Sequence, residues 1–395
     1  MATNSLPLEK TQEDDIKIGQ VTPIAVAHFV HDTYTGFIAP LLPLLIEKLS
    51  LSLTAAGSLT AIMQLPAMLN PFIGYMADKV SVRYFVILAP GITATLISSM
   101  GFATSYYSLV LLLLATGISV AAFHAPAPAM IARVSGRRVG LGMSIFMASG
   151  ELARAAGPLV AVWAVSAWTL EGIWRTMFFG WATSFILWLR LRDISARTEK
   201  PDSLRNLIPM VRILFIPLAI FLLFRNLLYV SLTTFLPTFL NSEGISLALA
   251  GISLSLLELA GVAGAMTSGP LSDKLGRKPI LLAATVSASL FTFAYLNIDS
   301  RLAIPILLAL GFSALSTTPV LLAMVQDQMP KNRAMGNGIF MALAFFLQSM
   351  SMLLVGYLGD RFGLRTTFTF SAIIALFSIP VIYFLPNKPG DDPYM

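Results

Sequence analysis

The chain has 395 residues, of which 56% are hydrophobic and only 12% charged, where a soluble domain carries about 25% charged residues. So little polar surface cannot wet a globule of this size, so lipid must cover much of it. The formal net charge of +6 therefore has to be read by position before it points to any partner.

Residues 1–20 are polar and carry Glu9, Glu13, Asp14 and Asp15. They lack the basic start and apolar core of a cleavable signal and read as a cytoplasmic tail. Twelve apolar stretches follow, at 21–46, 55–77, 84–103, 107–132, 138–166, 174–190, 212–240, 246–271, 279–297, 302–328, 334–358 and 366–385. Crossing a bilayer as a helix takes about 20 such residues; the runs are too long and too uniform for transmembrane strands. The spacing predicts an all-α membrane protein. Spans one to six form a bundle over 21–191, and spans seven to twelve a second over 212–386. The linker over 192–211 contains the polar run DISARTEKPDSLRN, and 387–395 is a short cytoplasmic tail. The other connections are short, so consecutive spans are antiparallel neighbours.

With both termini inside, nineteen of the 26 basic residues fall on the cytoplasmic side and five outside; Arg154 and Arg225 lie within spans. That is the positive-inside bias. The basicity is a topology signal and gives no reason to expect nucleic acid. No cysteine is present, so disulfides and thiolate metal sites are excluded.

Ionisable groups inside spans are costly unless paired or hydrated, which makes them functional candidates. Span one holds His28, His31 and Asp32, span four His124, span five Glu151 and Arg154, span seven Arg225, and span eight Glu258. His28 and Asp32, spaced i, i+4, share a helix face. Asp32, Glu151 and Glu258 are the candidate proton carriers, assisted by His28 and His31, because imidazole titrates near neutrality. Structural hydrogen bonding by Asp32 is the competing reading. Glu151 and Arg154, at i, i+3, can pair directly. Glu258 stands isolated in LSLLELAGVAG. Arg225 has no acidic residue at i±3 or i±4; its readings are a crossing to Asp32 or Glu151, a hold on an anionic group of the cargo, and a structural cap on carbonyls. Arg154, Tyr34, Gln64, His124, Asn226, Tyr229 and Gln348 are the other candidate substrate contacts. The HxxHD spacing of span one is too sparse for a metal centre, and HExxH is absent. No metal and no cofactor is expected.

The chain repeats itself. Gly74, Asp78 and Lys79 in GYMADKVSVRY lie 195 residues before Gly269, Asp273 and Lys274 in GPLSDKLGRKP, and Tyr34 lies 195 before Tyr229. Two similar halves place a working site at their seam. A third related run, GYLGDRFGLR, carries Gly356, Asp360, Arg361, Gly363 and Arg365 at the outer end of span eleven. A carboxylate at such a boundary can accept charge-assisted hydrogen bonds from a helix N-terminus or an adjoining cation. Gly74, Asp78, Lys79, Arg83, Gly269, Asp273, Lys274 and Arg277 are therefore candidate parts of a conformational latch.

Twelve spans with paired loop motifs resemble the major facilitator superfamily, whose signature after span two is G-x-x-x-D-[RK]-x-G-x-[RK]-[RK]. More narrowly, HFVHDTYTGFIAPLLPLL, AAFHAPAPAMIARVSG and GLGMSIFMASGELARAAGPL resemble its fosmidomycin-resistance branch. The branch usually reads FHPEASR in span four, whereas this chain has Phe123-His124-Ala125-Pro126-Ala127. The resemblance implies a monomeric secondary transporter in a bacterial-type inner membrane, exporting a small organic compound against protons. An uptake symporter for an organic anion is the alternative.

Overall fold

In a computed structural model the chain is helical throughout the parts it describes, residues 17–70, 73, 83–135, 139–191, 214–298, 302–329 and 333–386. Among the described residues twelve helical passes can be followed. They are α1 (Ile18–Leu49), α2 (Leu53–Leu69), α3 (Arg83–Phe102), α4 (Tyr106–His124, continued by Ala127–Val134), α5 (Val139–Gly172) and α6 (Met177–Leu191). A second six follow: α7 (Ile216–Ser242), α8 (Leu247–Leu275), α9 (Arg277–Asn297), α10 (Ala303–Gln328), α11 (Arg333–Phe362) and α12 (Leu364–Ile382). The first helix starts at Ile18, inside the stretch expected to be tail. The proposed linker, the termini, Gly74, Asp78 and Lys79 lie outside the described residues.

Breaks in the helices follow their sequence. α1 interrupts at Gly36–Phe37 and resumes at Ile38. α2 is capped by Ser52, whose hydroxyl accepts from Ala55 N at 3.1 Å, and tightens into a 3₁₀ turn over Leu65–Leu69 around Pro66. α7 widens into a π turn over Ser231–Phe235, just before Pro237. Proline has no N–H to return to the preceding turn, and one wider turn is a common way to absorb that loss.

Apolar side chains cover the outside as well as the inside. Phe178, Phe179, Phe185 and Leu189 of α6 are all more than half exposed, as lipid-facing residues must be when no hydrophobic contrast drives them inward. The buried apolar residues fall into three clusters. One combines both halves, for example Leu41, Leu42 and Leu59 with Phe235, Leu236, Met352 and Val355. The other two draw on one half each, around Val21–Phe123–Leu187 and around Leu214–Phe340–Leu385. The halves thus share a core toward the end away from the termini and keep separate cores toward the other.

The halves meet most closely where α2 packs on α11 and α5 on α8, and α1 also touches α7 and α8. At Gly57 of α2 the backbone of Met352 comes so close that a side chain would not fit. Ser349 Oγ of α11 donates to Ala61 O at 3.5 Å.

Candidate functional site

Asp32 is the centre of a largely buried cluster of one acid and three imidazoles from α1 and α4. His31 Nδ1 lies 2.7 Å from Asp32 Oδ1, His28 Nε2 lies 3.1 Å from Oδ2, and His124 Nε2 of α4 lies 3.4 Å from Oδ2. The rings are held by packing. His28 stacks on Phe146 at 3.9 Å between centroids, and His31 on Phe123 at 4.5 Å. Gly150 of α5 leaves the space that the His28 ring fills.

The outer nitrogens of these rings determine what the inner ones can be. His28 Nδ1 donates to Phe146 O at 2.8 Å, and His124 Nδ1 to Val120 O at 3.1 Å. A carbonyl only accepts, so both Nδ1 atoms carry hydrogen. His31 Nε2 lies 3.2 Å from Thr93 Oγ1, whose own hydrogen goes to Ser119 Oγ at 2.8 Å; Nε2 is therefore the donor. In a neutral imidazole the other nitrogen is then a lone pair. Three such lone pairs would face an ionised carboxylate, which is repulsive throughout. The arrangement is favourable only with protons added, on the inner nitrogens or on Asp32 itself. His28, Asp32 and His124 also place three ligand-type atoms within 4.8 Å of one another, a spacing that local sequence does not reveal because His124 comes from another helix.

A second polar group spans the seam. Arg154 pairs with Glu151 one turn away on α5, as their spacing predicted. Its Nε also faces Glu258 Oε2 of α8 at 3.6 Å. Neither of those two atoms has a hydrogen-bond partner, so they meet as charges just beyond bonding distance. Glu258 is not isolated, as its apolar sequence context suggested; its side chain is 8% exposed while Arg154 keeps 41%.

Arg225 corrects a second expectation. It crosses to neither Asp32 nor Glu151. Its guanidinium lies over the Tyr229 ring at 4.2 Å and donates to Asn226 Oδ1 (3.3 Å), Ala314 O (3.3 Å) and Thr318 Oγ1 (3.2 Å). All four are residues of its own half. Tyr34 is likewise committed to packing: it is buried, and its hydroxyl donates to Thr176 O. Gln64 and Gln348 are half-buried, and Gln64 Oε1 has no partner.

Known proteins supply the frame for these groups. The profile of the Major Facilitator Superfamily matches residues 24–316 and 269–393. The chain belongs to that superfamily. As a member it is a transporter and an integral, multi-pass membrane protein. It is 23% identical over 383 residues to the fosmidomycin resistance protein of Escherichia coli (strain K12), covering 94% of each chain. It is 23% identical over 310 residues to a probable 4-methylmuconolactone transporter of Cupriavidus pinatubonensis, covering 73% of this chain and 72% of that protein. In fold it is similar to a bacterial homologue of the human lysosomal transporter Spinster (14% identity, TM-score 0.78, 92% and 95% covered). A D-xylose–proton symporter is also similar (14% identity, TM-score 0.74, 95% and 99% covered).

Within this superfamily member the loop motifs behave unequally. Arg277 bridges Asp273 (2.6 Å) and Asp327 (2.8 Å) and donates to Ser272 Oγ at 2.5 Å, all inside the C-terminal half. Gly269 and Lys274 sit on the same helix end, partly and fully exposed, and Arg83 begins α3. Among the described residues, a cross-half contact is made by the third motif. Asp360 of α11 accepts from Leu53 N (2.7 Å), Thr54 N (2.8 Å) and Thr54 Oγ1 (2.5 Å) at the start of α2. The sequence marked Asp360 as motif-like; the N-terminus it would cap could not be known without the packing.

Proposed function

We propose that this transporter couples inward proton flow to export of a small amphipathic or anionic organic compound by alternating access. The bundles over 21–191 and 212–386 are the moving bodies, and a single chain is the working unit. The observation that carries the reading is the hydrogen-bond polarity around Asp32, where three imidazoles with committed outer N–H groups turn toward one carboxylate. Such a cluster gains and loses protons as its environment changes.

Arg154 is the half-exposed cation between Glu151 and Glu258. With the cluster deprotonated, the Asp32 carboxylate can accept a donor group of the cargo while Arg154 faces its polar or anionic end; with it protonated, that acceptor is taken. Proton and cargo then compete for one acceptor, which is what antiport requires. Efflux is the direction favoured by the likeness to a resistance protein over nearly the whole chain. Both termini are taken to lie in the cytoplasm of a bacterial-type inner membrane, from the distribution of basic residues.

The test uses purified protein in liposomes with fosmidomycin as probe. An imposed pH gradient, acid on the cargo-receiving side, should drive accumulation there. Cargo moving with protons instead would favour anion uptake by symport. No effect of the gradient would remove proton coupling altogether.

A further inference from the structure

Arg225 is a permanent cation sealed inside the C-terminal half. The residue is 8% exposed, and none of the ion pairs found among the described residues includes it. A buried lysine or histidine escapes such a position by losing its proton; a guanidinium cannot. Its contacts to Asn226, Ala314 and Thr318 run from 3.2 to 3.3 Å, all to neutral acceptors. The Tyr229 ring offsets part of the desolvation. Nε still has no partner.

Beside it lies a cavity of about 20 Å³ between α7, α9, α10 and α12, lined by Arg225, Tyr229, Thr285, Ala314 and Thr317 among others. Thr285 and Thr317 are 4% and 2% exposed, and both hydroxyls lack a protein partner. Three unsatisfied donors thus belong to the wall of one small chamber, together with an uncompensated positive charge. The space is small, of the order of one to a few water-sized particles. Water would meet the hydrogen bonds and leave the charge unbalanced.

We propose that this chamber binds a small inorganic monovalent anion, chloride in ordinary salt, as resident counter-ion of Arg225. Thr285 of α9 and Thr317 of α10 donate to it. The proposal is independent of the cargo and of the direction of transport.

The experiment takes the purified full-length protein in detergent. Equilibrium binding of radioactive chloride should show one saturable site per chain, displaced by bromide and not by sulfate. Thermal unfolding at fixed ionic strength should be later in chloride or bromide than in gluconate. Thr285→Val combined with Thr317→Val keeps the shape and removes both hydroxyl donors, and should weaken chloride binding about 10-fold or more. Arg225→Met should abolish it; if that variant does not fold, the threonine pair decides. Absence of saturable chloride binding, meaning water alone occupies the chamber, would overturn the proposal. So would chloride affinity unchanged in the threonine pair.

Discussion

Helices α1 and α7 sit in equivalent places under the 195-residue repeat, yet they bury opposite charges. His31 corresponds to Asn226 and Tyr34 to Tyr229. In the first half the inward residues build a carboxylate ringed by imidazoles. In the second they build a guanidinium lying on a tyrosine. The repeat therefore preserves where polar side chains turn inward and leaves their chemistry free. The chemistry differs in kind: carboxylate and imidazole change charge within the physiological range of pH or near it, whereas guanidinium does not. One half holds the group that switches, and the other holds a charge that stays.

The largest expected effect is at the switching side. Asp32→Asn keeps the volume and takes away the one acid that three imidazoles share. Gradient-driven accumulation in liposomes should fall to the level of empty vesicles, while exchange of cargo between the two sides persists. Accumulation that survives in this variant would show that the two halves do not divide labour in this way.

Arg225→Lys probes the fixed side. Lysine keeps a charge but not the planar fork, so the contacts to Ala314 O and Thr318 are lost. Hydrogen bonds to charged groups are worth about 1.5–3 kcal/mol each, and because these are long we expect a loss of about 2 kcal/mol of stability. The measurement is the unfolding temperature, alongside proton coupling in the same preparation. Coupling should be unchanged. A variant that folds normally but no longer couples would place the switch on α7 as well.

Asp360→Asn tests the joint that holds the halves together at the end away from the termini. It weakens a charged cap on the N-terminus of α2, worth about 1 kcal/mol, or a roughly five-fold shift in the equilibrium between closed and open. The natural chain has no cysteine, so a single Thr238→Cys beside this joint can be labelled without background. Labelling should speed up a few-fold in the Asp360→Asn background. An unchanged rate would reduce Asp360 to an ordinary cap.

These outcomes also separate what local pattern can and cannot tell. Twelve passes and the Glu151–Arg154 pair were legible, because each is a property of neighbouring residues. His124 beside His28, and Glu258 beside Arg154, come from different helices, so no spacing along the chain announces them. For Arg225 the sequence left a distant acid, a cargo anion and a structural cap on carbonyls side by side, and packing removes the first: carbonyls, hydroxyls and an aromatic face surround the guanidinium. Asp360 carried the right motif, and only the docking of α11 on α2 shows which helix it caps.

The smallest effect should come from an acid outside both clusters. Glu243 follows α7 and accepts from Arg365 at 2.8 and 3.4 Å. Those hydrogen bonds hold its carboxyl below the ordinary value of 4.5. A lowered value means that the pair stabilises the fold above the ordinary carboxylate range and loses that contribution as pH falls through the depressed value. The pair is exposed, so it should be worth about 0.5 kcal/mol or less at pH 7. Glu243→Gln should therefore lower the unfolding temperature slightly near neutrality and not at all in strong acid. Between pH 5 and 8 the natural chain and this variant should respond alike, because imidazoles and not this carboxyl change charge there. A pH response in that window that disappears in Glu243→Gln would take the switch away from Asp32 and its three histidines.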